Sequence, residues 1–442
     1  MLNIGVVSLG CDKNRVDSEI ILGKLKDKYN IVNDPKEADI IVVNTCGFIE
    51  SAKDESINTI LEMADFKKEK CKLLVVTGCL SARYGNELME NMPEVDIMLG
   101  VNSYDKLVEK IDEYFRSKEK IILTEYSDLN INYGERILTT PKTTAYLRIA
   151  EGCDNHCTYC VIPKIRGKYR SRKLEDIIDE ANVLCENGTQ ELILVAQDTA
   201  YYGRDIYGEN SLSTLLSELS KIERLKWIRI LYCYPEEITI ELIEEMKTNK
   251  KICHYLDIPL QHISNKLLRV MGRRSTREKV EQLIKYIRYQ IPDIVFRTSL
   301  IVGFPGENEE DIEELKHFLR KYKIQNVGVF KYSKEEGSEA FKMKNHISSE
   351  VKAQREKEIM LIQNKVSTNL NRDYIGKKMD ILIETKNEDF YYGRNQYMAP
   401  DVDGKVLIKA DKNLNIGEFY EVKIIKSLTY DLIGEINDEF TK

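Results

Sequence analysis

At 442 residues, 42% hydrophobic and 8% aromatic, the chain is globular and long enough for roughly two to four domains, each with its own core. Its 66 Lys and Arg stand against 73 Asp and Glu, and the net charge of −7 speaks against a generally basic polyanion binder, although a local patch could still bind nucleic acid. Residues 1–10 lack the basic segment and small-residue cleavage site of a secretory leader, and no apolar run approaches the roughly 18 residues of a membrane span. A cytoplasmic protein without a membrane role is expected. Its ten cysteines then point to metal binding or catalysis rather than to a disulfide framework.

In chain order, short apolar runs at 4–7, 40–43 and 73–76 alternate with helical patterns at 16–29, 50–64 and 82–92. This is the βαβ rhythm of a doubly wound parallel sheet, assigned to a domain over 1–116. A polar stretch, 117–142, reads as a linker. A second α/β region follows over 139–370, with candidate strands at 145–149, 192–196, 228–232, 255–258, 294–301 and 327–332. Strand-then-helix units in that number suit a partial (β/α)6 barrel, since a full one has about eight. A charged helix over 348–371 leads to Gly376. Alternating strands at 380–384, 404–409 and 420–425 then suit a small OB-like β-barrel over 373–442.

Cys153, Cys157 and Cys160 have C-x3-C-x2-C spacing directly after the first strand of the second region. Three thiolates so spaced can hold three irons of a [4Fe–4S] cube and leave the fourth open. The competing reading is structural zinc with His156 as a fourth ligand, although zinc more often takes two separated ligand pairs.

Cys11, Cys46 and Cys79 recur once per βα unit, each just after a candidate strand. In a parallel sheet all three would reach the same carboxyl edge, where such sheets bind ligands. A second cube with an open iron is one reading, and three packed small hydrophobes is the other. Cys71, Cys185, Cys233 and Cys253 share no such pattern and are expected in the core.

The C-x3-C-x2-C motif at the start of a (β/α) barrel resembles the radical S-adenosylmethionine (SAM) superfamily. The resemblance implies that SAM chelates the open iron and is cleaved by one electron to methionine and a 5′-deoxyadenosyl radical. Cysteine-bearing α/β domain, radical SAM core and terminal barrel together resemble the methylthiotransferases, whose last domain is called TRAM. It implies a second [4Fe–4S] cluster on Cys11, Cys46 and Cys79 that carries the sulfur for insertion into a C–H bond, with a second SAM giving the methyl group. No catalytic side chain beyond the cluster ligands is implied. A sulfur donor and an electron donor such as flavodoxin or ferredoxin would be partners.

Residues 8–18 (SLGCDKNRVDS), 256–264 (LDIPLQHIS) and 399–404 (APDVDG) resemble the branch that acts on an aspartate of small-subunit ribosomal protein twelve. The tRNA-modifying branch more often reads Gln-Ser-Gly-Ser where this chain has Gln261-His262-Ile263-Ser264. Asp12 departs from the ribosomal-protein branch, which commonly has Pro there. Gln197, Asp198, Gln261 and Gly303 follow barrel strands and resemble SAM-contacting positions, although Gly303 could equally be a turn residue. The basic stretch 164–173 is either solvated surface or a wall of the SAM and substrate cleft. Two other functions remain: a methylthiotransferase of a tRNA adenosine, and a non-enzymatic metal-binding RNA adaptor.

Overall fold

A computed structural model describes residues 1–125, 133–410 and 413–436. Six parallel strands form the first sheet. Asn3–Ser8, Ile40–Thr45 and Leu73–Gly78 lie side by side, Asn30–Ile31 flanks the first, and Ile97–Leu99 and Ile121–Leu123 extend the other edge. The connection therefore reverses between Asn3–Ser8 and Ile40–Thr45, which makes a crevice at their carboxyl ends. Every residue of Ile40–Thr45 and of Leu73–Gly78 is buried, because helices cover both faces.

The helix expected at 16–29 runs over Asp12–Leu25, and that expected at 82–92 runs over Cys79–Asn91. Both start at or beside a cysteine, and the first turn of Asp12–Leu25 (Asp12, Lys13, Asn14, Arg15) is polar and shows no apolar period. The stretch 117–142 is not simply a linker: Ile121–Leu123 is the sixth strand, so the first sheet continues past residue 116. Three residues, only the first of them buried, are too few to show a period of two. Part of that stretch, 126–132, lies outside the described residues.

The second sheet is also parallel and six-stranded, in the sequential order Thr144–Arg148, Glu191–Val195, Trp227–Ile230, Ile252–Asp257, Val295–Val302 and Asn326–Lys331. Its alternation is two-sided. Leu192 and Leu194 pack with the helical layer, whereas Ile193 and Val195 face a separate cluster with Tyr146, Tyr255 and Val295. That second cluster also contains Val16 and Ile20 of the Asp12–Leu25 helix, and Leu382 and Ala399 of the C-terminal region. One apolar core thus joins three parts of the chain.

Helix Ser349–Arg372 leads to a closed five-stranded barrel of Lys378–Lys386, Tyr391–Arg394, Val406–Lys409, Leu432–Glu435 and Phe419–Ser427. The barrel docks through a buried ion cluster. Glu191 receives Arg394 at 2.6 Å and Arg229 at 2.9 Å, and all three side chains are fully buried. Trp227 meets Phe419 edge to face at 4.7 Å. Among the described residues no helix is long and apolar enough to cross a membrane.

Candidate functional site

Cys11 caps the Asp12–Leu25 helix, Cys46 follows Ile40–Thr45, and Cys79 opens the Cys79–Asn91 helix. The three thus stand at the carboxyl edge of three adjacent strands. Gly10 makes their approach possible. Its φ is +87°, and a Cβ there would come within 2.7 Å of Cys46 Cβ. Cys11 is exposed, Cys46 half-buried and Cys79 buried. Burial pushes the Cys79 thiol up to about 12, opposed by the Arg166 charge and reinforced by Cys11 and Cys46. Burial likewise raises Cys46. Asn14 Oδ1 lies 3.7 Å and Arg166 Nη2 3.6 Å from Cys79 Sγ.

The central trio occupies the loop after Ala150–Glu151. Asn155 Nδ2 approaches Cys153 Sγ at 3.6 Å, the Ile162 N–H donates to Cys160 Sγ at 3.4 Å, and Tyr234 OH lies 3.6 Å from Cys157 Sγ. Burial and the neighbouring Cys157 raise Cys153 to about 11, and burial raises Cys160 still further. Six cysteines thus form two groups, each at the carboxyl edge of a parallel sheet. Thiols raised as far as those of Cys79, Cys153 and Cys160 stay protonated at neutral pH unless a cation takes their charge, and iron is such a cation.

A zinc site with His156 gains no support. His156 is exposed, and among the described residues no three His, Cys, Asp or Glu side chains converge on one ion. The ligands of a cube each take a different iron, so they need not converge. Cys71, Cys185, Cys233 and Cys253 are buried within hydrophobic clusters, as expected of packing residues.

The four candidate SAM residues all follow strands of the second sheet. Gln197 buries both its amide nitrogen and its amide oxygen with no hydrogen-bond partner, an arrangement suited to a polar ligand. Asp198 accepts from Asn155 at 3.2 Å, and burial lifts it to about 7. Gln261 holds φ +70° and continues the sheet by bonding to Ser299 and Ile301. Gly303 donates its N–H to Glu307 at 2.8 Å, and the Lys352 side chain fills the place of a Cβ. Asp198 thus borders the Cys153 loop, with Gln197 its neighbour in the chain, while Gly303 is engaged within its own turn.

Residues 3–100 match the uncharacterized protein family UPF0004, 147–319 the radical SAM superfamily, and 375–436 the TRAM domain. A ribosomal protein uS12 methylthiotransferase RimO of Clostridium botulinum (strain Eklund 17B / Type B) is 58% identical over 441 residues, 99% of both chains. Its namesake from Clostridium kluyveri is 57% identical over 443 residues, covering 100% of this chain and 99% of the relative. The chain belongs to the RimO family. RimO proteins are radical SAM methylthiotransferases, so SAM and a [4Fe–4S] cluster come with membership. The fold is also that of the radical SAM methyltransferase TsrM from Kitasatospora setae, with a TM-score of 0.55 at 14% identity over 74% of this chain and 73% of that one.

Several residues of this RimO-family site escaped the sequence reading. Arg273 buries its guanidinium 3.8 Å from Cys157 Sγ and 4.0 Å from the centroid of the Tyr234 ring. Arg166 reaches Asp17 Oδ2 at 2.9 Å and Glu151 Oε1 at 3.0 Å, and Arg148 bonds the same two carboxylates. All four charges are buried. The basic stretch 164–173 is therefore neither plain surface nor plain cleft: Arg166 and Arg172 are buried, and Lys164, Lys168 and Lys173 are exposed. The apolar Ile165 and Tyr169 set among the basic residues were the available signal.

Proposed function

We propose that the protein inserts sulfur and a methyl group at the β-carbon of an aspartate in ribosomal protein uS12. Cys153, Cys157 and Cys160 would hold one [4Fe–4S] cluster, and Cys11, Cys46 and Cys79 a second. The observation that carries this reading is the segment 232–234. Tyr232 OH lies 3.2 Å from Asp12, next to Cys11, and Tyr234 OH lies 3.6 Å from Cys157. One three-residue stretch thus reaches the residue next to Cys11 at one end and Cys157 at the other, as a reaction needing both groups would require.

With a cluster and SAM bound, the central site supplies one-electron cleavage of SAM. The chain's part is binding and exclusion of water. Asp198 offers a polar group beside the Cys153 loop and Gln197 an unpartnered amide next to it in the chain, Asn155 orients Cys153, and Arg166 and Asn14 steady Cys79. Gln261 and Gly303 are proposed as further SAM-pocket residues, at the same carboxyl face. A ferredoxin or flavodoxin would give the electron, and a separate donor the sulfur, in the compartment that holds the ribosomes.

The full-length likeness to uS12 methylthiotransferases favours the ribosomal protein over a tRNA adenosine. The C-terminal barrel agrees. From Gly376 to Lys442 ten Lys and Arg face thirteen Asp and Glu, a net of −3, which attracts a basic ribosomal protein and repels phosphate at long range. The test is anaerobic reconstitution followed by mass spectrometry of uS12 and of tRNA. Methylthio-aspartate on uS12 is expected, and modification of tRNA alone would transfer the reading to the other branch. Replacing Cys153, Cys157 and Cys160 by Ala should remove about half the iron and all reductive SAM cleavage. Replacing Cys11, Cys46 and Cys79 should remove the other half and leave SAM cleavage in place. An RNA adaptor would show neither loss.

A further inference from the structure

The first turn after Cys11 carries a cation that no carboxylate meets at ion-pair distance among the described residues, although the charge of Asp257 is felt from further off. Lys13 Nζ lies 3.4 Å from the centroid of the Tyr232 ring. Its neighbours are engaged: Asp12 accepts from Tyr232 OH, and Arg15 pairs with Asp401 at 3.1 Å. Lys13 is half-buried, and Asp257, a carboxylate whose charge acts on it, spends a hydrogen bond on the Tyr232 N–H rather than on the ammonium. A ring face holds an ammonium in place but leaves its hydrogen-bond donors open to an anion.

Tyr232 itself stands in a strained conformation. Its φ is +61°, a region that bulky residues rarely enter. The strain is imposed from both sides, since Tyr232 N–H donates to Asp257 at 3.2 Å and its carbonyl accepts from Thr199 at 2.9 Å. Such strain gathers at functional positions. Here it carries the ring out of the second sheet and under Lys13 of the first domain, while Tyr234, two residues on, reaches Cys157.

We propose that Lys13, seated on the Tyr232 ring, receives the carboxylate of the substrate's target aspartate. This rests on the aspartate reading above. The carboxylate carbon is bonded directly to the β-carbon, so holding the carboxylate fixes the C–H bond to be replaced. The location fits, because the segment 232–234 lies between the two groups, reaching Asp12 beside Cys11 in one and Cys157 in the other. A nucleobase presents no anion at its reacting edge, so the same ammonium discriminates against it.

The test is an enzyme–substrate cycle. Lys13→Met and Lys13→Arg are measured against uS12 and against uS12 with its target aspartate replaced by asparagine. Affinity of the purified chain is read by titration calorimetry, and the ratio of 5′-deoxyadenosine to methylthio product is read in the reconstituted enzyme. Lys13→Met should weaken uS12 binding about tenfold to a hundredfold and raise the ratio of cleaved SAM to product, with bare SAM cleavage retained. Lys13→Arg should restore most of the affinity, and the asparagine protein should bind wild type and Lys13→Met equally. Equal losses with both substrates would make Lys13 a structural residue and overturn the proposal. Should Lys13→Met fold poorly, wild type alone decides, because equal affinity for the aspartate and asparagine proteins overturns the proposal too. Wild-type enzyme that leaves uS12 unmodified would instead sink the substrate reading.

Discussion

Arg166 sets its guanidinium against Glu151, Asp17, Asn14 and Cys79 at once, in a fully buried place. Removing one partner of a buried ion cluster leaves the others uncompensated, at a cost of about 3–5 kcal/mol. Arg166→Met should therefore lower stability by about that much in denaturant unfolding. Arg166→Lys should recover only part of it, because a single ammonium cannot fork between two domains. A Met variant as stable as wild type would mean that Asp17 and Glu151 find other partners. This cluster was hidden in the sequence for a plain reason: Arg166 and Asp17 are 149 positions apart. The cysteines were legible because each sits at a fixed phase of a βα unit, and phase is what a sequence displays. Lys13 and Tyr232 drew no notice, since their meeting depends on a backbone angle.

At the scale of elements, Glu191 opens the second strand of the central sheet and anchors the terminal barrel. Burial pushes its carboxyl up, but the Arg394 and Arg229 charges more than offset this and hold it at about 2, against 4.5 for a free group. A depressed folded value contributes stability that is complete above pH 4.5 and drains away as pH falls toward 2. The stake is on the order of 3 kcal/mol. Protease susceptibility of the barrel, followed across this window, should rise as pH falls. In Glu191→Gln it should be high at neutral pH and far less dependent on acid. If the two profiles coincide, the ion cluster does not hold the barrel. Most of the helical and strand elements were visible as periodic runs. Tyr391–Arg394 and Leu432–Glu435 were not, each having four residues with a glycine among them, so that only pairing with neighbours makes them strands.

For the whole molecule, the first domain, the central sheet and the terminal barrel were legible as three successive patterns, whereas their contacts were not. Nothing in the run of residues says that Val16 and Ile20 share a core with Tyr146, Tyr255 and Leu382. The acidic barrel has a consequence at this scale. Any affinity of the full chain for tRNA should fall with salt far less steeply than for a many-phosphate contact, and a steep slope would argue for a basic face gathered from several domains.

The shared core carries a further consequence, for how the molecule comes apart. A unit that melted by itself would leave half of an apolar cluster and half of an ion cluster open to water, so its neighbours would lose their footing with it. The chain should therefore unfold as one cooperative body despite its three patterns. In calorimetry this means a single heat-absorption peak whose van't Hoff and calorimetric enthalpies agree, where independent domains would give resolved steps.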